Sequence, residues 1–215
     1  MKNDARWVIV DTETDGLFAP IHVVEIAAQA MVGWERSGEP FQVFLDHGVR
    51  IPYEATAVHG YTQAFLKEHG VAPRKAHALF RDYVQGDPIV CHNLSYDWDR
   101  ALGPEWKRLR CQPAGRAGFC TMLLSRRVIH ETSKHNLDLL KAHFRIQSGQ
   151  SHQASADVET VVQLFSSVLA PRLSAAGIDT LDAIRAFSRR TPIRNCLAEI
   201  REHAPRGRGT AVRRS

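Results

Sequence analysis

An apolar tetrapeptide, Trp7-Val8-Ile9-Val10, runs directly into Asp11-Thr12-Glu13-Thr14-Asp15-Gly16. A short apolar run reads as a buried strand, and here the strand delivers acids to its end. In extended backbone, residues two apart point to the same side, so Asp11 and Glu13 project together. Two carboxylates held close raise each other's pKa unless a cation stands between them. No Lys or Arg near them in sequence offers that charge, whereas a hard divalent cation with oxygen ligands would. Taken alone, the pair also fits two strand-end acids bound for solvent.

The segments around this strand predict an α/β chain. Val23–Ala28 and Phe41–Leu45 read as two further strands, with Gly33–Pro40 as the turn between them. Pro88–Cys91 is short, apolar and bounded by turn signals, as a fourth, buried strand would be, and Phe119-Cys120 is a short strand candidate. Helices are predicted over Thr62–His69, Pro73–Gln85, Ser95–Arg108 with Ser95 as N-cap, Met122–Ile129 and Asn136–Phe144. The longest is predicted over Ala154–Ala170, where Val158, Val161, Val162, Leu164, Phe165 and Val168 recur at helical spacing. Asp179–Arg190 adds a last helix. Strands followed by helices with interleaved strands give a mixed sheet flanked by helices.

Two more acids stand at comparable places. Asp97, in His92-Asn93-Leu94-Ser95-Tyr96-Asp97, falls in the first turn of the helix that follows the fourth strand. It would approach Asp11 if the two strands are sheet neighbours; on its own it is also a favourable helix N-terminal acid. His152 and Asp157 are five residues apart, about 500° around a regular helix, so their side chains would diverge on one. They converge only if His152 lies in the loop before the helix and Asp157 in its first turn. The Gln147-Ser148-Gly149-Gln150-Ser151 stretch is consistent with such a loop.

Together these elements resemble the DnaQ-like, or DEDDh, 3′–5′ exonucleases, over roughly residues 7–170. Val58-His59-Gly60-Tyr61-Thr62 resembles the family's His-Gly-Ile-Thr segment, and His135-Asn136-Leu137-Asp138-Leu139-Leu140 its stretch between the second and third motifs. Cys120-Thr121-Met122, with Arg126-Arg127, looks most like the bacterial exonuclease X branch. The resemblance implies a ribonuclease H-like fold, a mixed sheet with helices on both sides. It implies release of 5′-mononucleotides from the 3′ end of DNA (single strands or duplex ends), with RNA as the alternative substrate. Asp11, Glu13, Asp97, His152 and Asp157 take the catalytic positions. The four carboxylates would hold two Mg²⁺ ions, with Mn²⁺ able to substitute, and His152 would be the general base. Leu17 resembles the family's apolar wedge against the terminal base. Thr14, Asp15 and Gly16 would offer backbone N–H groups near the 3′ end, and His59 and Tyr96 are candidate nucleotide contacts. Tyr61 stands where relatives carry an aliphatic residue, as a base-stacking or a buried core tyrosine. A homodimer is expected from the same resemblance.

Composition bounds the rest. At 215 residues and 44% hydrophobic, the chain can bury a sizeable core. No apolar run approaches the roughly 20 residues that span a bilayer, and the N-terminus shows no signal-peptide core, so a cytoplasmic protein with no membrane partner is expected. Cys91, Cys111, Cys120 and Cys196 form no CxxC pair and read as reduced structural thiols. The net charge of +5 is unevenly placed: residues 189–215 carry eight arginines against two glutamates, and the remainder 20 basic against 21 acidic residues. The expected organisation is a DEDDh exonuclease domain over 1–190 and a basic, flexible tail over 191–215. That tail is either a tether for a polyanion or a solvated segment with no partner.

Overall fold

The computed structural model describes residues 5–190, 192, 193 and 196. A six-stranded sheet forms its centre. Strand β1 (Arg6–Thr14) lies between β2 (Val23–Val32), to which it runs antiparallel, and β5 (Pro88–Cys91), to which it runs parallel. β6 (Arg116–Cys120) extends the parallel side. The hairpin strand β3 (Glu35–Arg36) and β4 (Phe41–Phe44) both pair antiparallel with β2. The sheet is therefore mixed, as the sequence predicts.

Alternation along β1 decides what each face meets. Trp7 and Ile9 point into a core built with α5 (Thr121–Val128), α6 (Leu137–Phe144), α7 (Ala154–Leu164), α8 (Ala170–Ala175) and α9 (Leu181–Arg190). Val8 and Val10 point the other way, against α3 (Pro73–Val84), the π-helix Ser95–Leu102 and α4 (Gly103–Leu109). Helices thus cover both faces. Cys196 is buried in the first of these cores, beyond the boundary expected at Arg190. Arg194 and most other positions past Arg190 lie outside the described residues, so the expected tail does too. No described helix is long and apolar enough to cross a membrane.

Several local expectations are corrected. β1 continues to Thr14, so Asp11 and Glu13 lie within the strand and not past its end. β2 reaches Val32, four residues beyond the predicted end at Ala28. Ser95 does not cap its helix: the Tyr96 and Asp97 N–H groups already donate to the Asn93 carbonyl, and Leu94 is helical. The Ser95 hydroxyl donates to Asn93 Oδ1 instead. The long helix from Ala154 passes through a π-helical turn, Phe165–Leu169, and continues into α8. Thr180 caps α9, its Oγ1 accepting from the Ala183 N–H, and Thr62 caps α2 (Gln63–His69) by the same bond to Phe65. Sequence reading missed α1 (Tyr53–His59). Its signals were Pro52 just before it and Gly60 just after, where φ is +83°.

Candidate active site

Asp11 and Glu13 share a β1 face with Trp7 and Ile9, and that face is packed by α7. Asp157 stands in the first turn of α7. Carboxylate oxygens of Asp11, Glu13 and Asp157 lie within 4.8 Å of one another. Thr12, on the opposite face, reaches the π-helix that follows β5, where its hydroxyl donates to Asp97 Oδ1 at 2.7 Å. Because β5 runs parallel beside β1, the C-terminal ends of both strands converge, and Asp97 joins the acidic group from the far side.

The electrostatics follow from crowding without a counter-charge. Among the described residues no Lys or Arg forms an ion pair with these four acids. Burial, then the charges of Asp97, Glu13, Asp157 and Glu25, pushes the Asp11 carboxyl well above the usual range. Burial and then Glu25, Asp157 and Asp97 raise Glu13 to about 8. Asp97 and Asp157 are also raised by burial, against hydrogen bonds from Thr12 and the His152 main chain that favour their charged forms. Glu105, a wholly buried acid outside the site, shows the contrast. Burial would raise it too, but hydrogen bonds to His47 and His77 hold it near 2. Glu105 also accepts from Arg108 Nη2 at 2.9 Å, and no acid of the site has such an arginine partner among the described residues. An all-carboxylate set of this kind fits a hard divalent cation, which would be held by Asp11, Glu13 and Asp157 with Asp97 beside them.

His152 lies in the loop before α7 with φ +63°, as convergence requires. Its main-chain N–H donates to Asp157 Oδ2 at 3.1 Å. Its imidazole, however, is half exposed and stands with Nε2 3.7 Å from Asp138 Oδ2, apart from the three-carboxylate group.

A cleft of about 720 Å³ opens beside Glu13. Thr14, Gly16 and Leu17 form one wall; Val58 and His59 of α1 form the other, with Tyr96 at the base of the loop. The Thr14 and Tyr96 hydroxyls lie 2.7 Å apart and each is 3.1 Å from the Gly16 carbonyl oxygen. Gly16 has φ +149°, a conformation residues with a Cβ rarely adopt. Arg100 donates to the Leu17 carbonyl at 2.6 Å and lies over the Tyr96 ring. Leu17 and Phe18 are 60% and 91% exposed, so the loop presents bare apolar side chains at the cleft mouth.

Three expectations change here. Tyr96 touches the cleft, but its hydroxyl is committed to the loop 14–16. The Asp15 N–H is not available to a ligand, since it donates to the His22 carbonyl at 2.9 Å. His59 lines the cleft but is buried; its Nδ1 accepts from the Tyr61 N–H, and its ring stacks on Tyr61. Tyr61 itself is a buried core residue packed on Phe44 and Phe65. Sequence reading missed Phe18 and Glu25. Glu25 is the lone acid in the apolar run Val23-Val24-Glu25-Ile26-Ala27-Ala28, which was the available signal. It faces Glu13 directly across the β1–β2 register.

A family model described as Exonuclease (RNase_T) matches residues 8–165. The chain is 31% identical over 204 residues to a DNA polymerase III subunit epsilon-like protein of Rhodobacter capsulatus, covering 92% of this chain and 26% of that protein. This chain therefore spans about a quarter of the length of that relative. It is 29% identical over 181 residues to the DNA polymerase III subunit epsilon of Rickettsia conorii, covering 79% and 76% of the two chains. Among solved structures, exonuclease X in complex with 5′ overhanging duplex DNA superimposes with a TM-score of 0.62 at 22% identity, covering 85% of this chain and 99% of that one. The mixed sheet with helices on both faces is thus the ribonuclease H-like fold of these exonucleases.

Proposed function

The chain belongs to the DnaQ-like 3′–5′ exonuclease family, and from that membership we propose that it is a metal-dependent exonuclease that removes 5′-mononucleotides from the 3′ end of DNA. The observation that carries this reading is the meeting of Asp11, Glu13 and Asp157 within 4.8 Å beside an open, apolar-rimmed cleft.

In this reading Asp11, Glu13, Asp97 and Asp157 would hold two Mg²⁺ ions, for which Mn²⁺ can be exchanged in the test tube. Such ions supply a water acidic enough to ionise near neutral pH and positive charge where negative charge develops on phosphorus. The chain's own residues do the rest. His152 takes the proton of the attacking water, its imidazole swinging from the Asp138 side toward the carboxylates when substrate is seated. Leu17 meets the terminal base, and Thr14, Gly16, His59 and Tyr96 shape the wall that seats the last nucleotide. The loop holds its apolar side chains outward, where they would stack on any base, so turnover should be tolerant of sequence. The names of the relatives favour DNA over RNA, and the near-complete overlap with exonuclease X supports a chain of that branch, acting in the cytoplasm on single strands or duplex ends. A homodimer is carried as part of the proposal, and sedimentation at assay concentration tests it.

Digestion of 5′-labelled and 3′-labelled DNA and RNA oligomers of matched sequence, in Mg²⁺ and in EDTA, tests the reading as a whole. A descending ladder from the 5′ label, immediate mononucleotide from the 3′ label, and silence in EDTA are expected, with DNA faster than RNA. A faster RNA ladder would move the assignment to an exoribonuclease of the same fold. No cleavage of either would overturn it.

A further inference from the structure

Glu25 of β2 is fully buried, yet both of its carboxylate oxygens are engaged. Oε1 accepts from Gln42 Nε2 at 2.6 Å, and Oε2 accepts from the Ala154 N–H at 3.0 Å. Ala154 is the first residue of α7, and the first N–H groups of a helix have no partner within it. The cap residue Gln153 contributes no side-chain bond. The start of α7 is therefore held by a carboxylate from a strand 129 positions away in sequence. That start is flanked by His152 two residues before and Asp157 three residues after, while Glu25 sits opposite Glu13 in the sheet.

We propose that Glu25 is a positioning residue: by binding the Ala154 N–H it fixes the start of α7 against the β1–β2 pair, and so sets where Asp157 and His152 stand relative to Asp11 and Glu13. This rests on reading those carboxylates as the cation site. A carboxylate suits the task because it accepts from two N–H donors without offering a donor of its own. It also favours the positive end of the helix. The geometry is specific to the main chain: Ala154 cannot turn its N–H elsewhere, whereas Gln42 can rotate its amide and present oxygen in place of nitrogen. A glutamine at position 25 could thus keep both bonds.

Three single variants and one double variant of the full chain test this, with Mn²⁺ alone as the binding probe and a short DNA oligomer for kinetics. Glu25→Met removes the acceptor at similar length. It should weaken Mn²⁺ binding and lower kcat by about 10- to 100-fold, the usual loss when the partner of a metal ligand's support is removed. KM should move less, since the cleft walls lie on other elements. Glu25→Gln should return both quantities close to wild type. Ala154→Pro deletes the same bond from the other side; proline is accepted at the first helical position, and Gln153, at φ −124° and ψ 120°, already has the backbone that precedes proline. It should share the losses of Glu25→Met, and the double variant should be no worse than Glu25→Met alone, since that variant already lacks the Ala154 bond as well as the Gln42 bond. If Glu25→Met does not melt cooperatively, Ala154→Pro and Glu25→Gln decide. Wild-type Mn²⁺ affinity and kcat in Ala154→Pro would overturn the proposal, as would a Glu25→Gln enzyme as impaired as the proline variant. A wild-type chain that binds no Mn²⁺ would instead sink the exonuclease reading itself.

Discussion

The main-chain N–H of His152 donates to Oδ2 of Asp157 at 3.1 Å, while the His152 ring points to Asp138. The motif is thus closed through its backbone, and its imidazole is left half exposed with room to turn. A side chain tied this loosely suits a proton acceptor that engages only with substrate.

Replacing that imidazole should therefore separate chemistry from cation binding. Asparagine is the substitution of choice, because it tolerates the positive φ at this position better than alanine. His152→Asn should lower single-turnover rates by about 10²-fold or more, with Mn²⁺ affinity close to wild type because the N–H to Asp157 survives. Equal loss of Mn²⁺ binding in His152→Asn and Asp157→Asn would show the histidine to be a ligand.

Asp11→Asn deletes a candidate ligand and at the same time one of the like charges crowding Glu13 and Asp157. Exonuclease activity should be almost abolished, while the metal-free protein melts higher than wild type. Turnover near wild type would remove Asp11 from the cation site, and a lower melting temperature would contradict the repulsion argument.

The raised acids set a sign for the pH dependence of the metal-free protein. Glu13 has a folded pKa near 8 against 4.5 for an ordinary glutamate, so between those values the folded state binds more protons than the unfolded one. Stability from this group is full below about pH 4.5 and is lost as pH rises through 8. Thermal melts in EDTA should show a declining contribution across that window, opposite in sign to an ion-paired acid. Saturating Mg²⁺ should flatten it, and a melting temperature that climbs steadily to pH 8 in EDTA would refute the assignment.

Tyr96→Phe removes the hydroxyl shared with Thr14 and the Gly16 carbonyl. A net hydrogen bond of about 0.5–1.5 kcal/mol is lost. Because the loop it braces forms a cleft wall while Asp97 keeps its own bond to Thr12, KM should rise severalfold with kcat nearly unchanged. An unaltered KM would assign the bracing to the Arg100 bond with Leu17.

Past Cys196 the sequence carries five arginines against two glutamates. Each phosphate neutralised adds about 0.9 to the salt slope on duplex DNA, or about 0.7 on single strands. Truncation after Cys196, which keeps that buried residue, should raise KM on long substrates and flatten their salt dependence, leaving kcat on a short oligomer unchanged. Identical salt slopes in the two proteins would make the segment a bystander.

What the sequence determined by itself was local and periodic. Alternation placed Asp11 and Glu13 on one side of a strand, and the rotation per residue of a helix allowed His152 and Asp157 to converge only with His152 in a loop and Asp157 in the first turn. Pro73 marked a helix start because it omits an N–H group that the first turn leaves without a partner. The expected strands were found, three of them longer, because pairing with a neighbouring strand carries the extended backbone past the apolar run that marks it. The tertiary structure decided everything that depended on what a face meets. Tyr96 is committed to Gly16 and Thr14, His59 is a stacked wall and not a free side chain, and Asp157 reaches Asp11 because α7 packs on β1. Glu25 is the clearest case: a lone acid in an apolar strand reads locally as a defect. Its reason is the unpaired N–H of Ala154, brought to it only when the helix docks, and no period in the sequence encodes a bond across 129 residues.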